Sequence, residues 1–338
     1  MEQEKTKSLQ SIFSADALRK LMSLAALVVI FAGFSLASPN FLKFSNVVGI
    51  LLATAVNGVL ALGVTFVIIT GGIDLSVGTM MTFAAVMTGV LVTFWGLPVW
   101  VGVLGGVITG GVTGLINGTV ISRMKIPPFI ATLGMLYATK GLSLIVSGVK
   151  PIYFTDALIF PNAADPIPFR AIATGSIFDK IIPGFAIPNA VIIMFLLAIA
   201  AHFLLNKTLF GRYTFAMGSN EEAARLSGVN VASWKTAVYA VCGMFSGMAG
   251  VLIAARLNSA QPALGAGYEL DAIAAVVIGG TSLSGGEGSV VGTVIGAFVI
   301  SVLTNGLRIL SVPQEWQMVV TGVIVIIAVF ADQMRRQR

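Results

Sequence analysis

A single acidic residue, Asp74, lies between two long apolar runs in the stretch Gly-Gly-Ile-Asp-Leu-Ser-Val-Gly at 71–78. A carboxylate at the centre of a bilayer costs about 2.5–3.5 kcal/mol, so an acid at that depth usually marks a functional position. An acid directly before a helix can instead accept from the first backbone N–H groups and cap the helix. The stretch therefore predicts either an N-cap for the next helix near the inner membrane surface or a residue of an inner gate.

A second polar group follows a long apolar run at 256–271, around one proline and two glycines. Hydroxyl-rich solutes need donors and acceptors of this kind, and broken helices place polar groups at membrane depth only where they line a cavity. The segment therefore predicts part of a solute pathway, with an ordinary solvated loop as the alternative. Its candidate residues are Arg256, Asn258, Gln261, Tyr268, Glu269 and Asp271.

Four more polar residues lie inside apolar runs: Lys140, Asn57, Asn117 and Asn305. Lys140 can extend its amine to the outer surface or be a buried charge of the pathway. Asn57 is a further pathway candidate, and interhelical hydrogen bonding is the default expectation for all three asparagines.

Few residues could support catalysis or metal binding. The chain has one cysteine, Cys242, and one histidine, His202, and paired carboxylates are absent from its apolar runs. The sequence Leu-Ser-Gly-Gly-Glu at 283–287 resembles an ATPase signature, but no nucleotide-binding G-x-x-x-x-G-K-[ST] motif accompanies it. We expect a glycine-rich break between helices there, no cofactor on this chain and no enzymatic activity.

The elements that position these residues are membrane helices. The chain is 57% hydrophobic and 10% charged, with a mean hydropathy of +0.96, whereas soluble domains carry about 25% charged residues. Its apolar runs are continuous and long enough to cross about 30 Å of hydrocarbon, which favours an all-α polytopic membrane protein over a barrel. Ten spans are predicted, with eight spans plus re-entrant pieces as the alternative: 18–37, 47–69, 77–94, 99–121, 127–147, 187–205, 236–255, 271–284, 289–307 and 316–331.

The distribution of basic residues predicts the orientation. With the N-terminus in the cytoplasm, thirteen Lys and Arg residues fall in inside segments and six in outside segments, as the positive-inside rule requires. We expect one transmembrane domain at 18–331 between cytoplasmic tails at 1–17 and 332–338. Its two long connections are an outer loop at 148–186, rich in proline and aromatic residues, and a cytoplasmic loop at 206–235.

The fourth predicted span carries a glycine every four residues, at 102, 106, 110, 114 and 118. Glycine lets another helix backbone approach closely in a membrane. Four residues turn about 400°, so the row drifts around the helix by about 40° per step. The row predicts a spiral groove that packs against other helices.

The cytoplasmic loop contains a short helix signal. Ser219 and Glu222 have the spacing of a capping box, and Gly228 is a natural helix stop. A helix of barely two turns is marginal alone, so Ala223, Ala224 and Leu226 are expected to be held by the protein or by a partner.

Several segments together resemble the membrane permeases of ribose-type sugar ABC importers. The matching stretches lie at 38–51, 71–78, 127–136, 211–230 and 255–293, within a resemblance that runs from about residue 25 to 332. It implies a subunit of the bacterial inner membrane, commonly a homodimer, that receives a monosaccharide from a periplasmic sugar-binding protein. ATP hydrolysis is expected on a separate cytoplasmic ATPase.

The resemblance also implies a role for the short cytoplasmic helix, which matches the family's coupling element and would dock on the ATPase. The residues assigned to it are Ser219, Asn220, Glu221, Glu222, Ala223, Ala224, Arg225, Leu226 and Gly228. A self-sufficient secondary transporter or channel is the alternative function, suggested by Lys140 and the broken helices.

Overall fold

The computed structural model describes residues 15–155, 157, 167–180 and 186–336, and almost all of this is helix. The two strands pair with each other as an antiparallel two-residue ladder. The helices are α1 Ala15–Ala37, α2 Phe44–Ile69, α3 Val77–Gly89, α4 Val99–Arg123, α5 Pro128–Ser147, α6 Ala171–Thr174, α7 Asn189–Lys207, α8 Leu209–Ser219, α9 Glu221–Leu226, α10 Val231–Leu257, α11 Tyr268–Ile278, α12 Val290–Ile309 and α13 Gln314–Arg336, and the strands are β1 Ile152–Tyr153 and β2 Ser259–Ala260. A π-helical turn, Val90–Phe94, continues α3, and a 3-10 turn occupies Phe178–Lys180.

Eight helices in the described part of the chain are long and apolar enough to cross a membrane, which confirms the all-α polytopic fold. They are α1, α2, α3 with its π turn, α4, α5, α7, α10 and α12. Two of the ten predicted spans are not among these eight. The predicted tenth span lies in α13, of which Gln314–Ile327 is a described apolar stretch.

The predicted eighth span, 271–284, is wrong in length. α11 has 11 residues and is about 16 Å long at 1.5 Å per residue, roughly half a membrane crossing. It ends where Gly279 and Gly280 follow, and Gly280 has a φ of +89°. The apolar run ends at the same glycines, and the predicted span was too long because it extended into the glycine- and serine-rich residues 279–284.

The central helix is α2. Every residue from Thr54 to Ile69 is buried, and α2 contacts α7, α10, α11 and α12. A helix that is apolar all round and enclosed by others forms the core of a membrane bundle.

The glycine row of α4 forms the spiral groove that its spacing predicts. A Cβ at Gly102 would meet Val92 and Thr88 of α3, whereas a Cβ at Gly114 would meet the backbone of Tyr239 and Gly243 in α10. The groove therefore passes from α3 at one end of α4 to α10 at the other. Close backbone contact between α4 and α10 follows directly from the missing side chains.

The described parts of the outer loop pack on the protein itself. β1 pairs antiparallel with β2, and the rings of Phe154 and Phe169 stack with centroids 4.1 Å apart. Both phenylalanines are fully buried. These two aromatic residues of the loop therefore pack on the protein, whereas Phe160 lies outside the described residues.

Candidate functional site

Asp74 is completely buried in the connection between α2 and α3. Its Oδ1 accepts from the backbone N–H of Ser76 at 2.9 Å and from the Ser76 hydroxyl at 2.6 Å. Asn117 of α4 donates to the same hydroxyl at 2.9 Å. The Tyr239 hydroxyl of α10 lies 3.4 Å from the carbonyl oxygen of Ile73, to which it donates. The acid thus belongs to a polar cluster that ties the connection to α4 and α10.

The prediction that Asp74 is the N-cap of the third span is wrong in register. α3 begins at Val77, and Ser76 is the N-cap residue. Asp74 instead accepts hydrogen bonds from Ser76 and so holds this N-cap residue in place.

Two glycine-rich breaks meet beside this cluster. The backbone N–H of Gly286 donates to the carbonyl oxygen of Ile69, the last residue of α2, at 2.9 Å. A Cβ at Gly285 would lie 2.8 Å from both the backbone N of Gly71 and the carbonyl oxygen of Gly218. The breaks 70–76 and 279–289 therefore share one contact, and the end of α8 closes it from the cytoplasmic loop.

The short helix α9 follows this contact immediately and has the predicted length of barely two turns, Glu221–Leu226. The capping-box prediction is wrong by one residue: Ser219 ends α8, and Asn220 is the N-cap, accepting from the N–H of Ala223 at 2.9 Å. Ser219 is occupied as the last residue of the preceding helix, which the spacing rule did not anticipate.

The predicted stop of α9 at Gly228 is confirmed. Gly228 has a φ of +86°, its N–H donates to Arg225, and the N–H of Val229 donates back to Ala224 at 3.1 Å. This pair of bonds is a Schellman motif, which needs a left-handed residue and so favours glycine.

The surface of α9 is mostly free. Only Ala224 is buried, while Ala223 is exposed and Leu226 is 80% exposed, so within this chain only Ala224 is held and contact of the other two with a partner stays a prediction. Glu222 accepts from Arg225 at 2.6 Å along the exposed face, and this hydrogen bond raises the pKa of Arg225. An exposed leucine between charged residues suits contact with another protein surface.

α9 is fastened to the rest of the molecule by an ion pair as well. The Lys235 amine of α10 lies 2.7 Å from a Glu221 carboxylate oxygen. α9 directly follows Ser219, and Ser219 lies against Gly286. A displacement of α9 would therefore also displace the backbone at the two glycine-rich breaks.

The outer polar segment enters the bundle. A Cβ at Gly78, in the first turn of α3, would meet the Gly265 carbonyl and the Glu269 carboxylate. The chain therefore runs inward from β2 and places the start of α11 beside the start of α3. The prediction of a broken helix with polar groups at membrane depth matches this geometry.

The side chains of the segment fall into two groups. Gln261 donates to Ser259 at 3.0 Å, and Glu269 accepts from the N–H of Gly267 at 3.1 Å, so these two stabilise the segment locally. Asn258 ends α10 in a left-handed conformation. Arg256, Tyr268 and Asp271 are half-buried, and Tyr268 lies within electrostatic range of the other two and of Arg308 in α12.

Lys140 lies next to the same segment. It lines a cleft of about 10 Å³ together with Thr79, Thr82 and residues 262–266, which is room for about one water molecule. The neighbouring Thr139 donates to Thr79 at 2.8 Å. The structure thus brings Lys140 together with the outer segment, and Thr79, which donates to the Ser76 carbonyl oxygen at 3.0 Å, links this group to the Asp74 cluster.

Asn57 belongs to neither group. It is buried at the middle of α2, and its Oδ1 has no hydrogen-bond partner in the described part of the chain. Interhelical hydrogen bonding, the default expectation, is confirmed for Asn117 and wrong for Asn57 and Asn305.

Sequence reasoning missed some residues of these sites, namely Tyr239, Gly218 and Arg308. Gly218 lies in the stretch 211–230 without a spacing that marks it, and Tyr239 is a single residue in an apolar helix. Only the basic charge of Arg308, near the end of a predicted span, could have identified it as a candidate.

Comparison with known proteins gives consistent matches. The family model described as "Branched-chain amino acid transport system / permease component" matches residues 46–329. The ribose import permease protein of Escherichia coli K12 is 39% identical over 98% of this chain and 99% of its own length. The corresponding protein of Bacillus subtilis is 40% identical over 97% of this chain and 98% of its own. The fructose import permease protein of Rhizobium meliloti is 36% identical over 94% of this chain and 84% of its own.

A search of the solved structures finds no match. The family model covers well over half of the chain, and the relatives exceed 30% identity over nearly all of it. The chain is a multi-pass transport subunit of the bacterial inner membrane, and it belongs to the family of permease components that this model describes.

Proposed function

We propose that the chain is the permease subunit of an ATP-driven importer and forms the translocation path for a ribose-like monosaccharide. The relatives at 39–40% identity are ribose import permeases, and the others named are import permeases for fructose and xylose. The sugars in these names are pentoses and a ketohexose.

The observation that carries the proposal is the placement of α9. The helix presents Leu226 and the Glu222–Arg225 pair outward, and its base lies against the contact between the two glycine breaks. A nucleotide-driven ATPase that bound α9 would thereby act on the inner ends of α2, α3, α11 and α12 together.

The remaining partners follow from this role. A periplasmic sugar-binding protein would deliver the solute to the outer segment, and a cytoplasmic ATPase would supply the energy. A second copy of this chain would complete the path as a homodimer. The outer candidates Arg256, Tyr268 and Asp271 would face the incoming solute, and Asp74 would hold the inner connection in place.

Two substitutions at the same position, Gly228, test the coupling role. A Cβ at Gly228 meets nothing within 4 Å, so only its φ of +86° limits replacement. Asn tolerates this conformation and β-branched Val does not. In liposomes with the ATPase and the sugar-binding protein, we expect Gly228→Asn to import ribose normally and Gly228→Val to lose about tenfold or more, the equivalent of 1.4 kcal/mol.

The controls decide between function classes. Both variants should insert and purify as the parent does, since α9 lies outside the bundle. Wild-type import by Gly228→Val would refute coupling through α9. Ribose uptake by the purified chain in liposomes without any ATPase would establish the alternative, a secondary transporter or channel.

A further inference from the structure

The charged side chain of Lys140 lies on the exposed face of a peripheral membrane helix. α5 packs mainly against α3 and α4, and only α1 among the eight membrane helices is less buried. Lys140 is exposed in this chain, and it forms no hydrogen bond or ion pair with any residue that the structure describes. If the chain acted alone, this charge would meet lipid.

Two contacts place Lys140 well inside the membrane. Its neighbour Thr139 donates to Thr79, in the first turn of α3, at 2.8 Å. Ten residues farther along α3, or about 15 Å, a Cβ on Gly89 would lie 3.1 Å from Ile152 of β1 in the outer loop. This separation is about half of the 30 Å hydrocarbon thickness. Lys140 therefore lies near the middle of the bilayer.

The Lys140 side chain faces the outer polar segment rather than the outer end of α5. It lines the cleft of about 10 Å³ with Thr79 and Thr82, in the first two turns of α3, and with residues 262–266. Ala263 and Ala266 are exposed, so this polar face lies on the surface of the chain. A cleft with room for about one water molecule is too small for a sugar. One chain therefore provides only one wall of a larger site.

The charge of Lys140 determines what can cover this face. Ionised side chains are costly in lipid, and within membrane spans they face the protein interior or a water-filled cavity. Lys140 does not face the interior of this chain, so a water-filled gap against another protein surface meets the requirement. In a two-fold pair, the same patch of each chain faces its counterpart, and water in the gap screens the two like charges.

The same face is connected to the inner cluster. Thr79, which accepts from Thr139, donates to the Ser76 carbonyl oxygen at 3.0 Å, and the Ser76 hydroxyl donates to Asp74. A solute beside Lys140 is therefore close to the connection between α2 and α3, which lies next to the contact of the two glycine-rich breaks.

We infer that Lys140, the start of α3 and residues 262–266 form one wall of the translocation path, and that the same face of a second copy forms the opposite wall. The Lys140 amine donates to hydroxyl oxygens of the passing sugar. An ammonium group has three donors and no acceptor, which suits the oxygen-rich surface of a neutral polyhydroxyl solute. The inference rests on the proposed function and places its path between two chains.

Cysteine labelling tests whether water reaches this face. The only native cysteine, Cys242, is completely buried, so background labelling is low. The complex with the ATPase is placed in lipid nanodiscs, which leave both membrane sides open, and is treated with a small cationic thiosulfonate that reacts with thiols in water. We expect Lys140→Cys to be labelled. In liposomes, the attached group should stop the remaining ribose import by this variant, because it fills the path.

Ala138→Cys is the matched control. Ala138 is also exposed, and it lies two residues, or about 3 Å, from Lys140 in depth but about 200° around α5. It should stay unlabelled, and the reagent should leave import by this variant unchanged. Bifunctional thiosulfonates with a series of spacer lengths should join two permease copies in Lys140→Cys and not in Ala138→Cys.

Replacement of the amine tests its contact with the sugar. Lys140→Met keeps most of the side-chain length and removes the donors, whereas Lys140→Arg keeps the charge and the donors. We expect Lys140→Met to lower ribose import by about tenfold or more, the factor that one lost hydrogen bond to a charged group represents. Lys140→Arg should retain most of the import.

The outcomes separate the claims. Suppose the unmodified complex imports ribose. If Lys140→Cys is then unlabelled, if both positions are labelled, or if no covalent dimer forms at any spacer length, α5 does not line a path between two copies and the inference is overturned. Import by Lys140→Met at the parent rate would refute the sugar contact. If the unmodified complex fails to import ribose at all, the proposed function fails before any variant is measured.

Discussion

The inner cluster around Asp74 and the α2–α12 contact around Ser301 both place polar groups inside a membrane protein, yet they are built differently. In the inner cluster, Asp74 Oδ1, Ser76 and Asn117 are joined by hydrogen bonds that tie the α2–α3 connection to α4, while Asp74 Oδ2 has no partner among the described residues. In the α2–α12 contact, Thr65 and Thr293 share a hydrogen bond, and farther along the two helices Asn57 Oδ1 and Ser301 Oγ have no partner among the described residues. Side-chain hydrogen bonds therefore fix the inner connection more fully than this part of the α2–α12 contact.

Glycines bring backbone against backbone in both regions. Beside the inner cluster this occurs at Gly114 with Tyr239 and at Gly285 with Gly218, and beside the α2–α12 contact it occurs at Gly296 with Ala275. Packed helices with no side chains between them move together. The inner region is therefore suited to carry a displacement from α9.

The largest effect should come from filling the α4–α10 contact. A Cβ at Gly110 would collide with the Gly243 carbonyl and lie 2.7 Å from the backbone N of Gly247. Backbone atoms cannot move aside as side chains can, so Gly110→Leu should yield no folded protein. The measurement is the yield of monodisperse protein after detergent extraction.

Gly141 of α5 serves as the control, since a Cβ there meets nothing within 4 Å. Gly141→Leu should fold normally, because the added side chain points into open space within this chain. Folded Gly110→Leu with an unchanged melting temperature would contradict the view that the inner region is rigid.

A smaller effect is expected at Asp74, where charge and shape can be separated. Asp74→Asn keeps an oxygen for the two Ser76 bonds, and Asp74→Leu removes both. Hydrogen bonds to a charged group contribute about 1.5–3 kcal/mol each, so the leucine variant should lose a few kcal/mol of stability and most transport. Thermal unfolding of the purified protein and ribose uptake provide the two measurements.

Asp74→Asn is the more specific test, because it removes the charge and keeps an oxygen for the Ser76 bonds. If Asp74 only fixes the connection between α2 and α3, Asp74→Asn transports at close to the parent rate. Complete loss of transport in a normally stable Asp74→Asn would show that the carboxylate itself acts during the cycle, and would move this residue from the fixed region to the functional one.

The fold class and the coupling helix could be predicted from sequence because they rest on local patterns. Continuous apolar runs predicted the membrane helices, and the four-residue glycine spacing predicted the α4 groove. Gly228 marked the end of α9 through its backbone conformation. These features depend on the chain within a few residues of each position.

Contacts between distant segments could not be predicted in this way. The glycine-rich break after Ile278 is visible in the sequence, but the packing of Gly279 against Gly292, which brings the end of α11 against α12, is not. Likewise, Thr304 and Ser301 look equivalent in sequence, but one hydroxyl is satisfied by its own helix and the other is not. Which atom a hydroxyl group bonds depends on the residues around it in the folded protein.

The smallest effect should appear where the fixed inner region joins the exposed coupling helix. Asn220 caps α9 through its bond to the Ala223 N–H, and loss of an N-cap costs about 1 kcal/mol. Asn220→Ala should therefore leave global melting unchanged and accelerate amide hydrogen exchange within Glu221–Leu226. Asn220→Ser, which retains a capping oxygen, should restore the parent rate. If exchange in α9 did not respond to the cap, α9 would be held by its other contacts, the Schellman stop at Gly228 and the Lys235–Glu221 pair, and the rigid region would extend to the coupling surface itself.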